Sequence, residues 1–454
     1  MTRAPRRRAR RQDTSYRAPS TNANRRGATV TDVVELCRDL IRIDTSNPGR
    51  QERPAAEYVA TALSDAGYEC TVVESDPGRT TVVTRLEGAD SSRGALLVHG
   101  HLDVVPASAI DWKMDPFAGE VDDGCVWGRG AVDMKDMVAM TLKTAIDFRT
   151  NGVVPPRDLI FCFLADEEAG GLYGSKWIVD AHPELFEGAT EAISEVGGFS
   201  LQVRDDLRLY LIETAQKGMR WMKLTAKGRA GHGSMINDDN AVTTLCEAVA
   251  RLGNATFPIH VTPTMRRFLA EISDVFGITL DPDDMDATVA KLGPLARMVG
   301  ATLRNTANPT MLQAGYKVNV IPSEAYAEVD GRTLPGFADE FDAELREVLG
   351  PEIQVEYVHS DIELETEFEG DLVEAMGAAL KAEDPGARIV PYMLSGGTDN
   401  KAFSRLGIRG FGFSPLRLRP DLDFAGMFHG VDERVPIDAL EFGARVLDRF
   451  LRTC

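Results

Sequence analysis

Cysteine is sparse and unpatterned in this 454-residue chain. Cys37, Cys70, Cys125, Cys162, Cys246 and Cys454 form no CxxC pair. That excludes a thiolate zinc site and a disulfide framework, and it points to a reducing compartment. Cys37, Cys162 and Cys246 stand in apolar stretches and are expected to be buried thiols. No apolar run approaches the ~18–20 residues needed to span a bilayer. Internal repeats are absent as well. Basic charge is scarce outside the N-terminus. The formal net charge is −20, and residues 1–26 hold nine arginines against one acid, Asp13, so residues 27–454 carry −28. A body that acidic repels nucleic acid and anionic membranes.

What is present fits a soluble enzyme: 43% hydrophobic and 26% charged residues. The length exceeds what one ordinary core organises, so two domains are expected. Residues 1–29 are basic, rich in Ser, Thr and Asn and nearly free of large apolar side chains, which predicts a disordered tail. No apolar segment follows Arg6-Arg7-Arg8 and Arg10-Arg11, so an export signal is not favoured and a cytoplasmic location is expected.

Periodicity predicts a helix capped by Thr31, a second over Ala55–Ala66 ending at Gly67, and strands at Cys70–Glu74, Thr80–Arg85 and Ala95–Val98. Met137–Phe148 reads as helix and Asp158–Leu164 as a buried strand. This alternation indicates an α/β architecture. The texture changes near Lys217. A strand (Met219–Ala226), a helix (Asn240–Leu252), two strands (Gly315–Val320, Ala325–Val329), a helix (Ala338–Leu349) and a strand (Ile353–Val358) follow. That is the β-α-β-β-α-β order of a ferredoxin-like domain. It is placed at 216–362, inserted between 30–215 and 363–454. Helices are expected near Leu372–Ala382 and Ile437–Arg452.

The chemistry-bearing residues gather at strand ends, where open α/β sheets bind ligands. Ala95–Val98 runs into His101 and Asp103, which point the same way in an extended segment. His101 is a candidate metal ligand with Asp103 orienting it, although one His-x-Asp is met as readily by a structural histidine. Asp133 lies in GRGAVDMKD and has two oxygens to share between two metals; a Gly-rich turn with solvated charges is the plainer reading of that motif alone. Asp158–Leu164 ends in Asp166-Glu167-Glu168. Adjacent carboxylates at a dry site are costly unless cations or protons neutralise them. Glu168 as ligand and Glu167 as general base fit the run, with a solvated acidic loop as the plainer reading. Glu195 precedes paired glycines, and His429 precedes the last helix. His101, Asp133, Glu168, Glu195 and His429 make two imidazoles and three carboxylates. A nitrogen and oxygen set without thiolate suits Zn²⁺ and tolerates Mn²⁺ or Co²⁺.

HLDVVP, GRGAVDMKD, ADEEAGG, SEVGG, KGRAGHGS, NVIPSEAYAEVDGRT, SGGTDNKAF and FHGVDE follow in order. Together they resemble the aminoacylase-1, carboxypeptidase G and succinyl-diaminopimelate desuccinylase family over residues 30–454. The resemblance implies a zinc-peptidase-like catalytic domain, a central mixed sheet flanked by helices, with the inserted ferredoxin-like domain serving as lid and dimerisation domain. It implies two Zn²⁺, one held by His101, Asp133 and Glu195 and the other by Asp133, Glu168 and His429, with a cis peptide from Asp133 to Met134. By the same resemblance Asp103 would buttress His101, and Glu167 would be base and acid. His232 would reach the partner subunit's site in a homodimer, with an exposed, idle imidazole as the alternative. Asn319, Arg332 and the Gly396-Gly397-Thr398 loop would bind the substrate, with pairing of Arg332 to Asp330 as the alternative for that side chain. The implied reaction is hydrolysis of an amide next to a free carboxylate, in an N-acyl-amino acid, a dipeptide or a C-terminal residue. The competing readings are a non-catalytic peptide-binding relative and a di-metal hydrolase of another ester class. Asp136 stands where many relatives carry glycine, and residues 254–313 are long for the lid.

Overall fold

The computed structural model describes residues 32–277, 279, 281, 284–291 and 296–454. The expected tail and the Thr31 cap lie outside them. Asp32 caps the first helix instead, its Oδ1 accepting the Val34 N–H at 2.8 Å. Contacts divide the chain into two compact units, one ending at Thr190 and resumed over Asp423–Thr453, the other spanning Glu191–Leu422 with Cys454.

In the first unit, Thr71–Asp76 pairs antiparallel with Arg79–Leu86, which pairs antiparallel with Leu159–Leu164. Leu159–Leu164 in turn runs parallel to Ala95–His101. The parallel pair is buried on every residue, which is why both strands read as unbroken apolar runs. The connection between them passes through helix Lys135–Thr150. Helices Val33–Arg42, Arg53–Ala66 and Ile437–Leu451 pack on that helix. Gly67 ends Arg53–Ala66 at φ 99°, a conformation glycine adopts at no steric cost.

In the second unit, Leu207–Gln216 pairs antiparallel with Phe199–Arg204 and parallel with Ala387–Leu394; Ala189–Ser194 pairs parallel with Arg409–Gly412. A second sheet, all antiparallel, has the order Thr306–Ala314, Glu324–Thr333, Gly218–Lys227, Ile353–Asp361. Helices Ala241–Asn254 and Ala338–Leu349 bury Leu245, Ala248, Phe341 and Leu345 in its core. The β-α-β-β-α-β order is as expected, with one correction. The second strand is Thr306–Ala314 rather than the expected Gly315–Val320, and Gly315 at φ 64° follows its end. Val318, expected in that strand, is fully exposed.

Helix Pro263–Phe276 and Leu303 join the two sheets of this unit. Met265, Phe268, Leu269 and Ile272 of helix Pro263–Phe276 bury against Leu209, Leu211, Val390 and Met393. The same core takes in Leu334 at the end of Glu324–Thr333. Compactness therefore divides the chain at 190 and 422, and the strands of the four-stranded antiparallel sheet all lie between Gly218 and Asp361. No disulfide joins the six cysteines; Cys37 and Cys162 are buried as expected, but Cys246 is exposed on helix Ala241–Asn254. Among the described residues no helix is long and apolar enough to cross a membrane.

Candidate metal centre

The register of the parallel pair builds the centre. His101 ends one strand opposite Leu164, the last residue of its neighbour, so the chain leaving Leu164 delivers Asp166, Glu167 and Glu168 beside His101. Asp133 arrives on the turn before helix Lys135–Thr150, through a cis Asp133–Met134 peptide. His429 arrives on the loop before the last helix at φ 56°, and Asp166 stands at φ 68°. Left-handed non-glycine residues are uncommon and gather where a site over-determines the backbone.

The Asp133 carboxylate spans two histidines. Oδ1 lies 3.2 Å from His101 Nε2, and Oδ2 lies 3.3 Å from His429 Nε2. His429 Nε2 is also 3.1 Å from Glu168 Oε2, and His101 Nε2 is 4.0 Å from Glu167 Oε2. His101, Asp133 and Glu168 offer ligand atoms within 4.8 Å of one another. Burial opposes charge on Asp133, but hydrogen bonds to His101 and His429 outweigh it and hold its carboxyl well below the usual range. Burial, and then the Asp133 charge, push the Glu168 carboxyl up. Hydrogen bonds to Asp133 and Glu168 push the His429 imidazole up to about 10.

The donor chemistry fits a metal ion. His101 Nδ1 is 2.9 Å from the Asp103 carbonyl oxygen, which can only accept, so Nδ1 carries a hydrogen and, in the neutral ring, Nε2 carries the lone pair. A lone pair facing a carboxylate oxygen is repulsive unless a proton or a cation lies between them. Two ligands of one tetrahedral Zn²⁺ at ~2.0–2.1 Å stand about 3.3 Å apart, close to the separations here.

Asp103 therefore orients His101 through its backbone carbonyl. Its carboxylate, 3.6 Å from Nδ1 at the nearest, does something else. Oδ1 accepts the Glu167 N–H and Oδ2 the Glu168 N–H, each at 3.1 Å, and Oδ2 also accepts Asn47 Nδ2 at 3.0 Å. Asn47 gives its other amide hydrogen to Asp166 Oδ1 at 3.0 Å. Asn47 escaped the sequence reading because Thr-Ser-Asn-Pro looks like an ordinary turn. Glu433, inside FHGVDE, received no role there either.

The first unit thus gathers His101, Asp103, Asp133, Glu167, Glu168 and His429. The remaining candidates lie in the second. Glu195 is buried just beyond strand Ala189–Ser194. His232 and Asn319 are brought together by a two-residue ladder, His232 opposite Val320, with Gly233 N–H donating to Asn319 O at 2.9 Å. His232 is exposed, its Nδ1 2.8 Å from Ser234 Oγ. Arg332 makes a forked pair with Asp330, Nε to Oδ1 at 2.7 Å and Nη2 to Oδ2 at 3.1 Å. Thr398 is held by Gln216, whose Nε2 donates to Oγ1 at 2.7 Å and whose Oε1 accepts the Thr398 N–H at 2.9 Å.

Comparison with known proteins shows what the chain is similar to. Probable carboxypeptidase S-like 2 of Dictyostelium discoideum is 27% identical over 387 residues, 79% of this chain and 71% of that protein. Aminoacylase-1 of Sus scrofa is 25% identical over 411 residues, 88% of this chain and 90% of that protein. Among solved structures, the M20 family metallo-carboxypeptidase Sso-CP2 from Sulfolobus solfataricus superposes with a TM-score of 0.70 at 16% identity, covering 93% of this chain and 98% of that one. The family model for peptidase family M20/M25/M40 matches residues 97–453. On this match over most of its length, the chain belongs to peptidase family M20/M25/M40 and is a metal-dependent hydrolase.

Proposed function

We propose that the protein hydrolyses an amide or peptide bond next to a free carboxylate, in an N-acyl-amino acid, a dipeptide or a C-terminal residue, with two zinc ions. The observation that carries this is the Asp133 carboxylate, each of whose oxygens faces a different imidazole. His101, Asp133 and Glu195 hold one ion, and Asp133, Glu168 and His429 the other; Co²⁺ or Mn²⁺ suits the same donors. When bound, the pair supplies an acidified water and a polarised scissile carbonyl.

The chain's own side chains do the rest. Glu167 takes a proton from the attacking water on a carboxylate oxygen and returns it to the departing nitrogen. Asp103 holds the Glu167 backbone during both transfers. Arg332 supplies a planar fork for the substrate carboxylate, in exchange with Asp330, and Asn319, Gly396, Gly397 and Thr398 complete the pocket. His232, reaching from a partner in a homodimer through the lid, stabilises the developing oxyanion; its exposure accords with service to another subunit. The absence of disulfides accords with a cytoplasmic location.

The test is turnover of a panel of N-acyl-amino acids and dipeptides by wild type and Glu167→Ala, each with its metal content measured. Wild-type cleavage together with a variant that keeps two metals and loses several orders of magnitude in rate supports the mechanism. A variant as active as wild type removes Glu167 as the base. A wild type that holds two metals and cleaves nothing sinks the substrate class.

A further inference from the structure

Glu433 is fully buried and has no part in the scheme above. Its carboxylate is completely engaged. Oε2 accepts Arg129 Nη1 at 2.8 Å and the Gly130 N–H at 3.0 Å. Oε1 accepts the Val132 N–H at 2.7 Å and the Asp133 N–H at 3.1 Å. The same two segments meet again where Gly128 N–H donates to Glu433 O at 3.0 Å and Arg129 Nη2 to Gly430 O at 2.9 Å.

One side chain thus gathers three amides of the turn 130–133. That turn ends at Asp133, the carboxylate spanning both imidazoles. Glu433 itself stands four residues after His429, on the loop that carries the second imidazole. The turn has no slack of its own. Gly130 sits at φ 89°, and a Cβ there would come within 2.9 Å of Val104 Cγ1 and of Lys135 Cδ. Converging backbone N–H groups in such a turn make an anion seat, and here the seat is filled by the protein's own carboxylate.

We propose that Glu433 is a positioning residue for the metal centre. By clamping the Val132 and Asp133 amides to the His429 loop, it sets where the shared Asp133 carboxylate stands relative to His429. The inference rests on the metal-centre reading above. Glutamine keeps the shape but not the acceptors. Its amide nitrogen must face either the Val132 and Asp133 N–H pair or the Arg129 and Gly130 pair, leaving donor against donor in a buried site. Groups that orient metal ligands typically change metal affinity or activity by 10–100-fold when removed.

The experiment titrates Zn²⁺ into chelator-treated full-length protein and measures kcat and KM after reloading. Glu433→Gln is expected to bind Zn²⁺ roughly 10–100-fold more weakly and to lose kcat with KM little changed. Asp158→Asn is the stability control. Asp158 is also a buried carboxylate, held by Arg85 Nε at 3.0 Å and the Gly88 N–H at 2.8 Å, but it lies at the start of strand Leu159–Leu164, away from the centre. That variant is expected to lose stability and keep wild-type Zn²⁺ affinity. If Glu433→Gln does not fold, Glu433→Asp, which keeps the charge but is too short to reach both donor pairs, must show the same weakening. Wild-type Zn²⁺ affinity in a folded Glu433 variant, or equal weakening in Asp158→Asn, overturns the proposal. A wild-type protein that binds no Zn²⁺ sinks the metal-centre reading itself, and the positioning role with it.

Discussion

Asp103 and Glu167 are joined through the backbone: Asp103 Oδ1 accepts the Glu167 N–H at 3.1 Å, while the other oxygen accepts the Glu168 N–H. The residue expected to steady a histidine also anchors the loop carrying Glu167 and Glu168. Its carbonyl serves the first task and its carboxylate the second.

Asp103→Asn separates those tasks. The carbonyl that holds His101 Nδ1 survives, but an amide nitrogen must oppose a backbone N–H of Glu167 or Glu168. The variant is expected to lose about 1–3 kcal/mol of stability and roughly 10–100-fold in kcat, measured by urea unfolding and steady-state kinetics. Retained wild-type kcat would show that the loop does not depend on this carboxylate.

Asp136 is a buried carboxyl whose Oδ1 has no hydrogen-bond partner. Burial pushes its pKa well above the usual carboxylate range. The folded protein therefore holds a proton there that the unfolded chain releases above pH ~4. The stability contributed by the neutral acid is present at low pH and is lost as pH rises through the folded-state value. Asp136→Asn, which mimics the neutral acid, is expected to be more stable than wild type at pH 8 and to show a shallower fall of stability with pH. Urea midpoints across pH 5–8 would check this, and parallel curves for the two proteins would refute it.

Lys217 ties residues 255–305 to the sheet below. Its Nζ donates to Ala301 O at 3.0 Å, Arg304 O at 2.7 Å and Thr306 Oγ1 at 3.2 Å. Methionine at this position leaves buried carbonyls without a donor, a cost of about 1–3 kcal/mol. Lys217→Met is expected to raise hydrogen exchange and protease cutting within 255–305 while metal content stays at the wild-type level. Unchanged exchange there would mean that the apolar contacts of Phe268 and Ile272 suffice.

The candidate metal ligands were legible because their chemistry is local. A run such as Asp166-Glu167-Glu168 at the end of a buried apolar strand is too costly to be idle, and its position after LIFCFL shows in the sequence. Asn47 and Glu433 were not legible in that way. Each is a single polar residue in a turn or loop, and its meaning lies in backbone N–H groups or carboxylates that are 56 to 303 residues distant in sequence.

The sequence by itself determined the α/β alternation, the β-α-β-β-α-β order after Lys217 and the set of donor side chains, since apolar periodicity and charge placement are properties of neighbouring residues. Only the tertiary structure decided that the Asp103 carboxylate holds the Glu167 loop, that the second strand of the antiparallel sheet ends at Ala314, and that helix Pro263–Phe276 packs into a core shared by two sheets of one compact unit. Those outcomes depend on which distant backbone groups and apolar faces meet, and hydrogen bonds and burial are settled in space rather than along the chain.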